Sequence, residues 1–398
     1  MDTLQKVHAV KKELNNFFVE RSEEIHGMML SLFSGVNLLF IGNPGTAKSM
    51  LAESWAKTIT KSKYFSWQLH QFSTPEELFG PYSLAKLEKD QYTRITEGKL
   101  PEANIAFIDE VFKCSHGNLN ALLSILNERV FFDDGKAIPL DLFCVIGASN
   151  EIPEEGDKLE AFMDRVSLKY EVNPIVENNN FQKMLQSKNK FDPETTLTLE
   201  EVSKSRKEIE AVEVPEGIVS LLIDLRTKLS NNNSDSNEGL QVSVSDRMFR
   251  LSVNILKTEA WLHGNTTVTE EDLEILKHVL WSDPADKQKM YSTLLEVVNP
   301  QKEKIMQLFY DSQELYDGLL KEKANAKTDK QKRDIEPHMY ETCQKIRSAK
   351  GKIRDYVKAL EDKGRKTNDL VEVESKMEAM LTELYENQMG VAGFKGWD

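Results

Sequence analysis

Cysteine is scarce in this chain. Cys114, Cys144 and Cys343 stand far apart in 398 residues, which excludes a disulfide framework and matches no zinc-ligand spacing. The seven histidines, His8, His26, His70, His116, His263, His278 and His338, are equally scattered. Long apolar runs are also missing, so no segment is expected to span a membrane. The opening "MDTLQKVHAV" lacks the apolar centre of a secretory leader, and a reducing cytoplasm is the expected setting. Positive charge is in deficit. Lys+Arg number 51 against 65 Asp+Glu, a net charge of −14, which argues against general affinity for nucleic acid but not against a local basic patch. No repeat of solenoid period is visible. What remains is a chain of ordinary apolar content, long enough for two or three domains.

Three textures succeed one another. Residues 4 to 34 carry helical periodicity, ending at Gly35. Strands and helices then alternate: "VNLLFI", "YFSWQLH", "IAFI", "LFCVIGAS" and "RVSLKYEV" read as five strands, with "MLAESWAKTI" as a helix after the first. Such alternation predicts an α/β layer with a mainly parallel sheet. From about residue 181 to 280 helices dominate, interrupted by the polar stretch "NNNSDSNEG". "SVSDRMFRLSVNILKTEAWLHG" predicts a helix capped by Ser245 or Asp246 and stopped at Gly264. "TVTEEDLEILKHVLW" predicts another, with Thr269 and Asp272 as a capping box in which Asp replaces Glu or Gln. After Pro300 three narrow seams run along charged helices: Ile305, Leu308, Leu315, Leu319; then Cys343, Ile346, Ile353, Val357, Leu360, broken by Lys350; then Leu370, Val373, Met377, Met380, Leu384. The stretch "KEKANAKTDKQKRDIEP" reads as a charged connector and "EDKGRKTND" as a polar turn. The expected division is an α/β core at 1–172, a linker and helical domain at 173–290, and a helical tail at 300–398.

The chemistry begins at "GNPGTAKS", Gly42 to Ser49, between an apolar strand and a helix. It nearly spells the phosphate loop G-x-x-x-x-G-K-[ST], in which backbone N–H groups curl round phosphates at a helix N-terminus. Gly42, Pro44 and Gly45 shape the turn. Lys48 supplies charge for the terminal phosphates and Ser49 a hydroxyl for Mg²⁺. Ala47 stands where the pattern has its last glycine, and alanine fits there if its φ is negative.

"IAFIDEVFK" supplies two acids at a strand end. Beside a phosphate loop, Asp109 would hold the Mg²⁺ shell and Glu110 would orient or deprotonate the attacking water. "CVIGASN" ends in Ser149 and Asn150, and ligands of open parallel sheets sit at such carboxyl ends, so Asn150 is expected to reach the γ-phosphate or its water. Arg165, in "LEAFMDRVSLKY", is either a trans-acting arginine for phosphoryl transfer or half of a surface ion pair with Asp164; residue types alone leave both open. Arg129, in "LNERVFF", is open in the same way. Arg247 lies near the start of a helix, where the dipole disfavours a cation, so a bound phosphate would supply its missing partner.

In this order the pieces resemble the MoxR group of AAA+ ATPases, and within it the RavA branch. "FFVERSEEIHGMMLSLFSG", "GNPGTAKS", "FSTPEELFGPYS", "LPEANIAFIDEVFK", "LNALLSILNERVFF", "GASNEIPE", "LEAFMDRV" and "VSDRMFR" are each similar to segments of that branch, over roughly residues 1 to 285. The resemblance implies an AAA+ P-loop core, a helical lid and ATP/ADP with Mg²⁺ as cofactors. It makes Gly42, Asn43, Pro44, Gly45, Thr46, Ala47, Lys48, Ser49 and Met50 the phosphate loop, and Ser49 and Asp109 the Mg²⁺ residues. Asp109 and Glu110 become the Walker B pair, Asn150 sensor 1, Arg165 the arginine finger and Arg247 sensor 2, with Val19 near the adenine. It makes "SLAKLEKDQYTRITEGKLPEA" a helix-2 insert and "RVFFDDGKAIPL" a hairpin before sensor 1. It further implies a ring hexamer with chaperone-like remodelling activity and a partner carrying a von Willebrand A domain. The tail departs from the branch, whose small β-rich domain has no counterpart here. A nucleic-acid motor and a nucleotide-gated scaffold with little turnover are the competing expectations. The acidic balance weighs against the first, and the set Lys48, Asp109, Glu110, Asn150 and Arg165 against the second.

Overall fold

A computed structural model describes residues 2–114, 116–152, 162–187, 190–232, 244–326, 329–362 and 367–388. The chain divides into two units, Met1–Leu294 and Leu295–Asp398.

The first unit is built on a five-stranded sheet. Its strands are β1 (Leu38–Ile41), β3 (Tyr64–Gln68), β4 (Ile105–Asp109), β7 (Cys144–Ser149) and β8 (Leu168–Glu171), in spatial order β3-β4-β7-β1-β8. Every pairing is parallel. All residues of β1 and β7 are buried, as a sheet covered on both faces demands. Parallel pairing brings the carboxyl ends of β1, β7 and β4 side by side, with β7 in the middle, and that edge carries the site. All five expected strands exist, somewhat shorter than their apolar runs. Two small pairings complete the set: β2 (Ile59–Thr60) runs parallel to β9 (Leu197–Thr198), and β5 (Val130–Asp133) with β6 (Lys136–Pro139) forms an antiparallel hairpin. Asp134 and Gly135 turn that hairpin with positive φ, the backbone a two-residue hairpin loop requires.

The helical stretch before β1 is two helices, α1 (Thr3–Phe17) and α2 (Ser22–Ser34), where the sequence pattern reads as one. Glu20 breaks it with φ +56°. Its carboxylate accepts the N–H groups of Val176 and Glu177 and the Asn180 amide, so the break serves the start of the helix Asn178–Gln186. The chain after β9 carries helices Leu199–Glu210, Glu216–Asn232 and Asp246–Leu262. Ser245 is the cap of the last, its hydroxyl accepting the Met248 N–H at 3.1 Å. The following segment, Glu271–His278, is a 3₁₀ helix and not the expected α-helix. Asp272 accepts both the N–H and the hydroxyl of Thr269, and such a side-chain clamp holds the tighter turn. Of "NNNSDSNEG", residues 233–239 lie outside the described residues; the helix itself runs to Asn232.

The second unit holds helices Pro300–Asn325, Asp329–Glu361 and Asn368–Thr382. The expected connector is helix on both sides of a break at Ala326. The second and third seams are buried as read, except that Leu381 takes the place beside Met380. Lys350, the break in the second seam, is buried and pairs with Glu378, while Arg354 Nε meets Glu374 at 2.7 Å. The first seam is rotated: Met306, Phe309, Ser312 and Leu319 are buried, and Leu315 is exposed. Two apolar stripes compete on that helix, and the larger Phe309 wins the interior.

Candidate functional site

The loop Gly42–Ala47 leaves β1 and opens helix α3 (Lys48–Ala56). Gly42 donates its N–H to the Ser149 carbonyl at 3.0 Å. A Cβ on Gly42 would stand 2.2 Å from the Val172 carbonyl oxygen, so glycine is required by packing against the exit of β8. Gly45 has φ +84° with open space around it, and glycine is required there by conformation. Ala47 has φ +67°. The negative φ that would excuse an alanine is therefore not what the chain adopts: the loop needs the left-handed turn to aim α3, and Ala47 accepts it at a cost of about 1–2 kcal/mol. Thr46 closes the turn, its hydroxyl donating to the Asn43 carbonyl at 2.9 Å. Asn43, Pro44 and Gly45 are exposed, as are Ser49 and Met50 at the start of α3.

Lys48 joins the loop to the neighbouring strand ends. Its Nζ donates to the carbonyls of Gly42 (2.5 Å) and Asn43 (3.0 Å) and to Asn150 Oδ1 (3.0 Å). Asn150 Nδ2 in turn donates to Glu110 Oε1. Lys113 Nζ lies 3.2 Å from the same oxygen. Glu110 Oε2 is buried without a hydrogen-bond partner among the described residues. The Glu110 N–H donates to Asp109 Oδ1 at 3.0 Å, and Glu110 itself has φ +52°. The three strand ends thus meet in one relay: phosphate-loop lysine, amide, carboxylate.

The electrostatics follow from crowding. Burial raises the Asp109 carboxyl above its ordinary range and the Glu110 charge adds to this, while Lys48 and Lys113 oppose it. Burial lowers the Lys48 ammonium, against the pull of Asp109 and Glu110. No cluster of three or more His, Cys, Asp or Glu suited to a metal occurs among the described residues. A single carboxylate with a hydroxyl suits an ion that keeps its waters and arrives with phosphate, the habit of Mg²⁺.

The remaining candidates separate. Arg247 does not lack a partner: its guanidinium meets Asn127 Oδ1 at 2.5 Å and Asp164 Oδ2 at 3.6 Å. A carboxylate answers the unfavourable helix start, where a bound phosphate was expected. Asp164, one of the two alternatives open for Arg165, meets Arg247 and Ser245. Arg129 donates to the carbonyls of Ile125, Leu126 and Gly35 and to Asn37 Oδ1, and burial lowers it to about 10. It is consumed inside its own chain. Arg165 is half-buried, its carbonyl accepting the Asn37 amide at 3.0 Å. Val19 is half-buried in the break between α1 and α2.

Sequence reasoning passed over Arg21, Asn37 and Lys113. Arg21 is buried; it donates to the Asn173 carbonyl at 2.7 Å and reaches the Thr46 carbonyl at 3.4 Å. It therefore ties the α1–α2 break to the phosphate loop and to the chain leaving β8. Its signal was a cation between two apolar helical patterns. Asn37 is buried at the mouth of β1 and holds Leu126, Arg129 and Arg165. A lone polar residue before four apolar strand residues was the sign.

Comparison with known proteins agrees with this geometry. Residues 5–213 match the family model "MoxR domain in the MoxR-vWA-beta-propeller ternary systems", and residues 217–294 match an AAA lid domain. Two uncharacterized proteins of Methanocaldococcus jannaschii are each 37% identical, one over 77% of this chain and 78% of its own length, the other over 73% and 75%. A structural protein of Acidianus two-tailed virus is 30% identical over 49% of this chain and 34% of its own. A crystal structure from Cytophaga hutchinsonii, described as that of an ATPase candidate, shares the fold with a TM-score of 0.61 at 20% identity, covering 74% of this chain and 95% of that one. With its family match spanning more than half of its length and a lid match directly after it, the chain belongs to the MoxR family of AAA+ ATPases.

Proposed function

We propose that the chain binds Mg²⁺-ATP at the loop Gly42–Met50 and hydrolyses it, with Glu110 as the base. The observation that carries this is the relay from Lys48 through Asn150 to Glu110, which leaves Glu110 Oε2 buried and without a partner among the described residues. A buried carboxylate oxygen without a donor is an acceptor waiting for one, and the attacking water is a donor. Lys48, now spread over three neutral acceptors, gains an anionic one when phosphate enters. Ser49 and Asp109 would hold Mg²⁺, which would offset charge growing on the phosphate oxygens. Asn150 stands between lysine and base, placed to orient the water. Val19, half-buried beside Arg21 in sequence, is proposed to line the adenine.

Hydrolysis is proposed to occur in a ring, a hexamer by likeness to the RavA-type segments, with Arg165 reaching a neighbour's site. Arg129 cannot share that role, since its donors are engaged within the chain. Arg247 would exchange Asp164 for phosphate when the lid closes. The description of the matched family model supports a partner with a von Willebrand A domain, and the reading is of a cytoplasmic, chaperone-like remodeller of proteins. The helices after Asn299 are proposed as the docking surface for that partner; a chain ending at Asn299 should then turn over ATP but lose partner capture.

Lys48→Ala tests the site. It should abolish binding of a fluorescent ATP analogue that the unaltered chain binds. Equal binding by both would refute the assignment, and binding without turnover by the unaltered chain would favour a nucleotide-gated scaffold.

A further inference from the structure

Glu110 is held from two sides. Asn150 approaches Oε1 from the β7 end, and Lys113 Nζ approaches the same oxygen at 3.2 Å. The two holders differ in what else they do. Asn150 also accepts from Lys48, so it belongs to the phosphate side of the relay. Lys113 makes its ion pair with Glu110 and adds only a longer-range pull on Asp109; its side chain is 48% exposed while that of Glu110 is 7% exposed.

The backbone explains why Lys113 can do this. Glu110 has φ +52°, a left-handed conformation that costs about 1–2 kcal/mol for a residue with a Cβ. It opens the 3₁₀ turn Val111–Lys113, and the Lys113 N–H donates to the Glu110 carbonyl at 2.9 Å. One turn of three residues brings the lysine side chain over the carboxylate it follows. Lys113 therefore touches Glu110 at both ends, main chain and side chain.

When phosphate draws Lys48 away from Asn150, the amide is released to turn toward the phosphate or its water. Glu110 then loses one of its two holders at the moment its free oxygen is needed. We infer that Lys113 is a positioning residue for the proposed base: it pins Glu110 Oε1 so that Oε2 keeps facing the water while Asn150 serves the nucleotide. This inference rests on the hydrolytic reading above.

The test uses the full chain with Lys113→Gln, which keeps the stem and loses the charge, and Lys113→Arg, which restores a cation at similar reach. Position 113 is half exposed, and thermal melts check that the fold is kept. Steady-state ATPase should show kcat down by about tenfold to a hundredfold for Lys113→Gln, up to the cost of a misplaced catalytic group. KM and the affinity for a non-hydrolysable ATP analogue should stay within about twofold, because the nucleotide is held by the loop. Lys113→Arg should recover most of kcat. An unchanged or increased kcat in Lys113→Gln, or a KM that rises as kcat falls, or failure of Lys113→Arg to recover activity, would overturn the inference while leaving the functional reading standing. An unaltered chain that hydrolyses no ATP would overturn both.

Discussion

Two small residues of the phosphate loop carry opposite constraints. Gly42 has no room for a Cβ, which would meet a carbonyl oxygen at 2.2 Å. Ala47 has its Cβ already and bears a left-handed φ of +67°. Their substitutions should diverge. Gly42→Ala pushes on backbone and not on a yielding side chain, so it should cost about 1–3 kcal/mol and weaken nucleotide binding. Ala47→Gly relieves about 1–2 kcal/mol of conformational strain and gives back about 0.5–1 kcal/mol in chain entropy. It should therefore leave stability unchanged or raise it by up to about 1.5 kcal/mol, with binding retained. Denaturant melts and an ATP titration of the two variants check the contrast. A loss of binding in Ala47→Gly would mean that the methyl group itself has a role.

At the scale of elements, β8 holds an unusual charge. Lys169 is 1% exposed on β8, and among the described residues its Nζ donates to the Val166 carbonyl alone, at 3.4 Å, with the Trp281 ring 6.0 Å away. Burial lowers it to about 7, with Asp164 opposing. The folded chain therefore binds fewer protons than the unfolded one between pH 7 and the ordinary lysine range, and stability contributed by this group rises with pH across that window. Lys169→Met should be more stable than the unaltered chain at pH 7, and the difference should narrow as pH climbs toward 10. Melting temperatures of both chains from pH 6 to 10 measure it; a constant gap would show that the lysine is not the cause. This strand also shows what could and could not be read from the sequence. "RVSLKYEV" announces a strand by its apolar residues, but not that its lysine points inward. The five strands, the loop and the acids were legible because apolar runs and glycines obey local rules. The break at Glu20, the 3₁₀ form of Glu271–His278 and the rotated first seam were not. None follows from apolar periodicity: the break at Glu20 answers the distant Val176 and Glu177 N–H groups, the 3₁₀ form goes with the local Asp272 clamp on Thr269, and the rotation with the competing Phe309 stripe on the same helix. In the site, Lys48, Asp109, Glu110 and Asn150 met as their order along the sheet required. Arg129 and Arg247 could not be judged until their acceptors were seen.

At the scale of the whole molecule, the account requires that one chain complete another's site. Arg165→Ala should bind ATP normally and lose hydrolysis by about a thousandfold, as a trans-acting arginine does. Mixed with Lys48→Ala it should regain activity, because some interfaces then pair an intact loop with an intact arginine. Activity in the mixture no greater than the sum of its parts, with subunit exchange shown by labelled chains, would assign Arg165 to its own subunit. Beneath that lies the claim that Glu110 attacks through water and does not hold the nucleotide. The direct measurement is the identity of the nucleotide retained by Glu110→Gln. After mixing with ATP, rapid gel filtration and acid quench, the variant should carry ATP, with hydrolysis slowed by about a hundredfold or more, while the unaltered chain carries ADP under the same conditions. ADP appearing on Glu110→Gln at the unaltered rate would contradict the account.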